Sequence, residues 1–166
     1  MQSGRLFCYL KPWSIMHESL KSKWFRLKFN LVPPYWRTGG RITYISSDLH
    51  EVRIKLPLNW KTRNYSGTLF GGSIYAAVDP VIPMIFMKNL GKDYTVWLKD
   101  AAIDYIRQGR TSLHGTFKVS DSQLDDLRAE CSSGNAIYKE YTSRLVDESG
   151  TVCAEIVQPI YFKLNP

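Results

Sequence analysis

Cysteine is scarce in this chain. Cys8, Cys131 and Cys153 are odd in number, widely spaced and without a C-x-x-C pair, so neither a disulfide framework nor a zinc site is expected. A reducing compartment fits best, and a cytoplasmic location is expected. Histidine is equally sparse: His17, His50 and His114 stand at no partner spacing, each reads as a surface or structural residue, and no metal site is anticipated. Glycine and proline contribute only 11 and 8 of 166 residues, while aromatics make up 13%, which excludes a fibrous or disordered chain. No long apolar run is present either. The most apolar window, Phe70 to Met87, contains Asp79, Pro80, Pro83 and a glycine pair, which a membrane-spanning helix would tolerate poorly. Lys11, Lys21, Lys23, Arg26 and Lys28 break up the first thirty residues, so no export signal is expected.

Negative charge is short in one half. Residues 1–63 hold twelve Lys/Arg against three Asp/Glu, whereas residues 64–166 hold ten against twelve. This imbalance favours an anionic partner such as a lipid surface, a nucleic acid or a phosphate-bearing small molecule, and charge alone does not choose among them.

What is present is enough apolar material, 44% of the residues, for one sizeable core. From Met16, the residues Leu20, Trp24, Leu27 and Leu31 recur at helical steps while Lys21, Lys23, Arg26 and Lys28 take other faces. They predict an amphipathic helix capped by Ser14, ended by Pro33 and Pro34, and packed on the main body or on another subunit. This helix defines an N-terminal extension, residues 1–39, preceding a main domain over 40–166. After Thr38-Gly39-Gly40, the segments Arg41 to Ser46 and Glu51 to Leu56 read as an antiparallel hairpin. A polar connection over 57–69 leads to an apolar helix from Gly71 to Leu90. Thr95 to Arg107, Leu113 to Val119, Ile137 to Val146 and Val152 to Phe162 read as strands, with a turn or short helix over Ser122 to Asn135. The order contains no βαβ alternation. It predicts an α+β fold in which an antiparallel sheet wraps around one buried helix, since only such a helix can be apolar on nearly every side.

The chemistry concentrates in Asn64-Tyr65-Ser66-Gly67-Thr68-Leu69-Phe70-Gly71-Gly72, followed by Asp79. A glycine pair opening a helix leaves its first backbone N–H groups bare and lets a ligand approach closely. Asp79 is an ionisable group in an apolar segment. Such a carboxylate needs hydrogen-bond partners, a retained proton or a solvated cleft, each compatible with catalysis. Equally, Asp before Pro80 fits a helix cap, and the spacing leaves both readings open.

The run N-x-x-G-T-L-F-G-G-x6-D closely resembles the signature of hotdog-fold acyl-CoA thioesterases of the phenylacetyl-CoA and human thioesterase-superfamily type. Ile103-Asp104-Tyr105-Ile106-Arg107, followed by Gly109, resembles the strand after the helix in that fold, so the likeness covers about residues 40–163. The N-terminal helix is similar to an extension in uncharacterised bacterial hotdog proteins. The resemblance implies that Asp79 activates water or attacks the thioester carbon, that Asn64 positions the thioester or the water, and that the N–H of Gly71 or Gly72 polarises the carbonyl. It also implies an obligate homodimer, often doubled to a tetramer, because carboxylate and helix terminus come from facing subunits. Three features depart from the pattern. Phe70 replaces a histidine found in many relatives, Leu98 or Lys99 falls where some place a serine or threonine, and Pro80 and Pro83 interrupt the helix just after the carboxylate, each removing an N–H.

Arg107 and Arg110 flank a turn and are candidates for coenzyme A phosphates, although a solvated turn explains them more simply. Tyr75, Phe86 and Trp97 are candidates to line an acyl site or to sit in the core. The reading is therefore a thioesterase acting on an acyl-CoA or related thioester, with no cofactor beyond the coenzyme A of its substrate. A non-catalytic hotdog module binding acyl thioesters or lipids is the alternative. A dehydratase lacks its histidine, and nucleic-acid binding is not expected, because it rests on N-terminal charge alone.

Overall fold

The computed structural model describes residues 18–166. Ser14, His17 and Cys8 lie outside them. The chain runs α1 (Leu20–Leu31), α2 (Pro33–Thr38), β1 (Arg41–Ile45), β2 (Glu51–Leu56), α3 (Gly71–Val78), α4 (Val81–Leu90), β3 (Tyr94–Leu98), β4 (Ala102–Asp104), β5 (Leu113–Lys118), α5 (Asp121–Cys131), β6 (Ile137–Val146) and β7 (Val152–Leu164). All strands join one antiparallel sheet in the order β1-β2-β5-β6-β7-β3, with β4 also on β7.

The sheet wraps around α3 and α4. Ala77, Val78, Val81, Ile85 and Phe86 are buried against Ile54, Leu56, Leu113, Leu145, Ile156, Ile160 and Phe162 of the strands. Phe86 is fully buried and meets Phe162 edge-to-face at 5.0 Å between centroids and Tyr141 at 4.9 Å. Burying a side chain of this size stabilises the fold by about 1.5–3 kcal/mol. Phe86 is thus a core residue, and Trp97 is exposed on the outer side of β3, against Tyr161. Behind α4 packs α5, where the sequence suggested a turn or short helix. Ser120 and Gln123 close a reciprocal capping box at its start.

The helix expected over Gly71 to Leu90 is broken at Asp79–Pro80. Pro80 has no N–H for the carbonyl four residues back, and Pro83 has none for the carbonyl of Asp79. At the second of these carbonyls a side chain takes over: Gln158 Nε2 donates to Asp79 O at 3.4 Å, and nearby Tyr35 Oη donates to Ala77 O at 3.4 Å. The strand expected over Thr95 to Arg107 is also broken. Lys99 N still donates to Pro159 O, but pairing with β7 resumes only at Ala102, so Lys99–Ala101 bulge out of the ladder.

The first helix begins at Leu20 and is capped by Ser19, whose hydroxyl accepts from Ser22 N; Ser14 is not its cap. Pro33 and Pro34 end it and at once open α2, as prolines suit a first helical turn. The orientation of α1 is set by its polar residues. Asn30 exchanges two hydrogen bonds with the backbone of Ile42, Oδ1 accepting from N at 2.8 Å and Nδ2 donating to O at 2.9 Å. Ser22 Oγ donates to Ser46 O, and Glu18 Oε1 accepts from Ile45 N. Side chains of α1 and its N-terminal flank thereby stand in for a neighbouring strand along β1. The row Leu20, Trp24, Leu27 and Leu31 faces outward, so the expected packing of that row on the main body does not occur.

Candidate active site

Tyr75 and Asp79 are four residues apart near the end of α3, which puts them on one helix face. Tyr75 Oη donates to Asp79 Oδ1 at 2.9 Å. The two side chains open into a cleft of about 630 Å³ whose other wall is the β3–β4 segment: Leu98, Lys99, Asp100, Ala101, Ile103 and Tyr105. The bulge at Lys99–Ala101 explains this wall. In a regular strand Lys99 and Asp100 would face opposite ways, as their alternation suggested; out of the ladder, both reach the cleft.

The cleft lining mixes polar side chains, Tyr75, Asp79, Lys99, Asp100 and Tyr105, with apolar Leu98, Ala101 and Ile103. Burial, the hydrogen bond to Asp79, and the charges of Asp79 and Asp100 push the Tyr75 phenol up to about 12. It therefore remains a donor through the neutral range, aimed at one oxygen of the Asp79 carboxylate. Asp79 is not the N-cap of a following helix but the C-cap of α3. It closes α3 with helical backbone angles, and Pro80, without any side-chain cap bond, precedes α4. A carboxylate presented by a phenol in an open cleft can take a proton from water or attack an electrophilic carbon.

Gly71 opens α3, with Phe70 at the cap position contributing no side-chain hydrogen bond. Two aromatic rings roof this helix start. A Cβ on Gly71 would lie 2.9 Å from the hydroxyl of Tyr105, a residue of the cleft wall, and one on Gly72 would lie 2.4 Å from Cε1 of Phe70. The glycines let these rings lie close over the helix start, and a larger residue at either position would displace the ring above it. Phe70 itself is more than half exposed.

The other sequence candidates are placed differently. Asn64 organises its own loop: Oδ1 accepts from the backbone of Ser66 and Thr68, and Nδ2 donates to Thr68 Oγ1. It does not line the cleft in this chain. Arg107 anchors its backbone N–H on Cys153 O and Arg110 reaches Gln108, both outside the cleft. Leu98, Lys99 and Asp79 are brought together; Asn64, Arg107 and Arg110 are not. Sequence spacing passed over the Tyr75–Asp79 hydrogen bond, although four residues on a helix signal it. Gln158, 79 residues from Asp79, had no such signal. Among the described residues no group of His, Cys, Asp and Glu could hold a metal ion.

The chain belongs to a domain family of unknown function, DUF4442, whose model matches residues 21–157. A comparison with curated proteins finds none that matches. Solved structures do match. A Pseudomonas aeruginosa protein of unknown function, described as a probable thioesterase, is 14% identical with a TM-score of 0.79 over 90% of this chain and 99% of its own. A Haemophilus influenzae thioesterase is 11% identical, TM-score 0.65, over 91% of this chain and 96% of its own. A variant of another Pseudomonas aeruginosa thioesterase is 10% identical, TM-score 0.64, over 91% and 99%. The shared architecture is the hotdog fold, a curled antiparallel sheet around a central helix with an N-terminal helix added.

Proposed function

We propose that this protein is a thioesterase that hydrolyses an acyl-CoA or related acyl thioester, with Asp79 as its general base or nucleophile. The observation that carries the reading is the Asp79 carboxylate, hydrogen-bonded by Tyr75 at 2.9 Å and open to a cleft whose lining includes Leu98, Ala101 and Ile103. The names of the structural neighbours support the same class. In this reaction Asp79 takes a proton from water as the water oxygen bonds to the thioester carbon. The C–S bond then breaks, and the thiolate leaves and is protonated. Attack by the carboxylate itself, followed by hydrolysis of the anhydride, reaches the same products.

Helix geometry supports a homodimer. Gly71 and Asp79 are eight residues apart, about 12 Å along a helix axis at 1.5 Å per residue. A carbonyl held by an N–H on one side and attacked from the other spans only about 6 Å, two contacts of roughly 3 Å each. The helix start and the carboxylate of one copy therefore cannot serve one thioester, whereas those of facing copies can. Asn64, turned away from its own cleft, would then contribute to the partner's.

Thiol release measured over short, medium, long and aryl acyl-CoA, beside the Asp79→Asn protein, tests this reading. Turnover that falls by orders of magnitude in the variant with folding intact supports it. Folded wild-type protein that hydrolyses none of the panel overturns it in favour of a binding module, a reading favoured by the Phe70 ring over Gly72.

A further inference from the structure

The outward row on α1 is large and apolar: Leu20, Trp24, Leu27 and Leu31 are 77%, 63%, 49% and 66% exposed. It runs on into Val32, which caps α2, and Trp36 one turn into that helix, and these too are exposed. Beside Trp36 stands exposed Trp60, and the Lys61 ammonium lies 5.0 Å from the one indole and 5.2 Å from the other. Contiguous apolar surface of this extent marks a site of interaction.

Charge selects the partner. α1 contains Lys21, Lys23, Arg26 and Lys28 with no carboxylate, and α2 adds Arg37. Arg26 is held by Glu18, through a forked pair at 2.9 and 3.0 Å; Lys21, Lys23 and Lys28 point to solvent. A second copy laid on this face would set cations against cations, which costs affinity. An anionic bilayer meets both requirements. Indole rings favour the headgroup boundary, leucines reach the acyl region, and lysines extend along the helix to the phosphates.

We propose that the α1–α2 face docks the protein on an anionic membrane surface, with α1 lying in the plane of the interface. No helix among the described residues is long and apolar enough to cross a membrane, so the contact is peripheral. The proposal does not depend on the catalytic reading.

The test is sedimentation of the full chain with vesicles of phosphatidylcholine alone and of phosphatidylcholine with phosphatidylserine, at low and high salt, with tryptophan emission recorded. Binding is expected to the mixed vesicles, with a blue shift and a loss at high salt. Trp24→Ala with Leu27→Ala should weaken it roughly tenfold or more, since each removes buried apolar area in the bound state. Lys21→Glu with Lys23→Glu and Lys28→Glu should remove the preference for phosphatidylserine. All of these side chains are exposed, so melting should barely move. Failure to bind either vesicle overturns the proposal, as does binding indifferent to these substitutions. A wild-type dimer that falls apart on Trp24→Ala without any vesicle binding would assign the face to a second copy. Binding that appears only after residues 1–17 are deleted would assign it to that segment, and either result overturns membrane docking by the intact chain.

Discussion

Gln158 donates its side-chain amide to the backbone carbonyl of Asp79 at 3.4 Å, and that carbonyl is the one whose helical partner would be residue 83, a proline. A fully buried glutamine on β7 thus replaces a missing helical hydrogen bond at the residue that carries the proposed chemistry. Its Oε1 is buried without a protein partner, so the arrangement is kept at a cost.

Gln158→Leu leaves the Asp79 carbonyl unpaired, worth about 1–3 kcal/mol, but also removes the unpaired Oε1, so the net destabilisation should be the smaller remainder, about 1 kcal/mol or less. Pro83→Ala restores an N–H at the right position. In that background Gln158→Leu should cost clearly less, and urea unfolding of the four proteins of this cycle measures the coupling. Equal costs in the two backgrounds would refute the exchange of partners.

Tyr75→Phe removes the donor from the Asp79 carboxylate and little else. Losing a hydrogen bond to a charged group costs about 1.5–3 kcal/mol, less where it is partly exposed, so the melting temperature should fall by a few degrees, and kcat for thioester hydrolysis should fall with KM nearly unchanged as the carboxylate loses its orientation. A steady-state comparison with wild type decides it, and an unaltered kcat would remove Tyr75 from the site.

Asn30→Ala should cost about 1–3 kcal/mol, the sum of two net hydrogen bonds to Ile42, and should expose amide protons of β1 to exchange. Hydrogen exchange followed by mass spectrometry localises the change. Protection lost throughout the sheet, rather than at β1, would contradict the strand-like role given to this side chain.

His114, half-buried on β5 and opposite Lys55 on β2, has its imidazole pushed below the usual value by burial and by that ammonium. Folding thus favours the neutral ring. The stabilising contribution is complete above the unfolded value of 6.5 and is lost as pH falls through the folded value, because the unfolded chain takes up the proton first. His114→Gln should flatten the decline of stability between neutral and mildly acidic pH, and matched denaturant titrations would show whether it does.

Strand periodicity was legible where both faces of a segment have fixed environments. Ile137 to Val146 is a strand with the expected bounds, and the hairpin of β1 and β2 follows Ile42, Ile54 and Leu56 into the core. The helix start at Gly71 was visible because a glycine pair has few other uses. The break at Lys99 was not, since the residues on either side carry ordinary strand propensity and the bulge is imposed by pairing with β7. The row on α1 was legible as a pattern, but whether it meets the main body or another subunit was not. Its direction depends on Ser22 and Asn30 meeting β1, a tertiary contact with no mark in local sequence. Asp79 was singled out in the sequence as an ionisable group in an apolar segment, while Gln158 reaches its carbonyl from a strand 79 residues away.

The side chains that α1 and its flank lay along β1 also bear on how copies can add to one another. With the amide of Ile42, the carbonyl of Ile42, the amide of Ile45 and the carbonyl of Ser46 all engaged, that margin of the sheet offers little to an incoming strand. Among the described residues the opposite margin, β3, pairs only with β7. Growth by strand addition can then start from one margin alone. Two molecules joined there about a twofold axis would each have used their single open side, leaving a closed particle where a chain open at both sides would extend into a fibre.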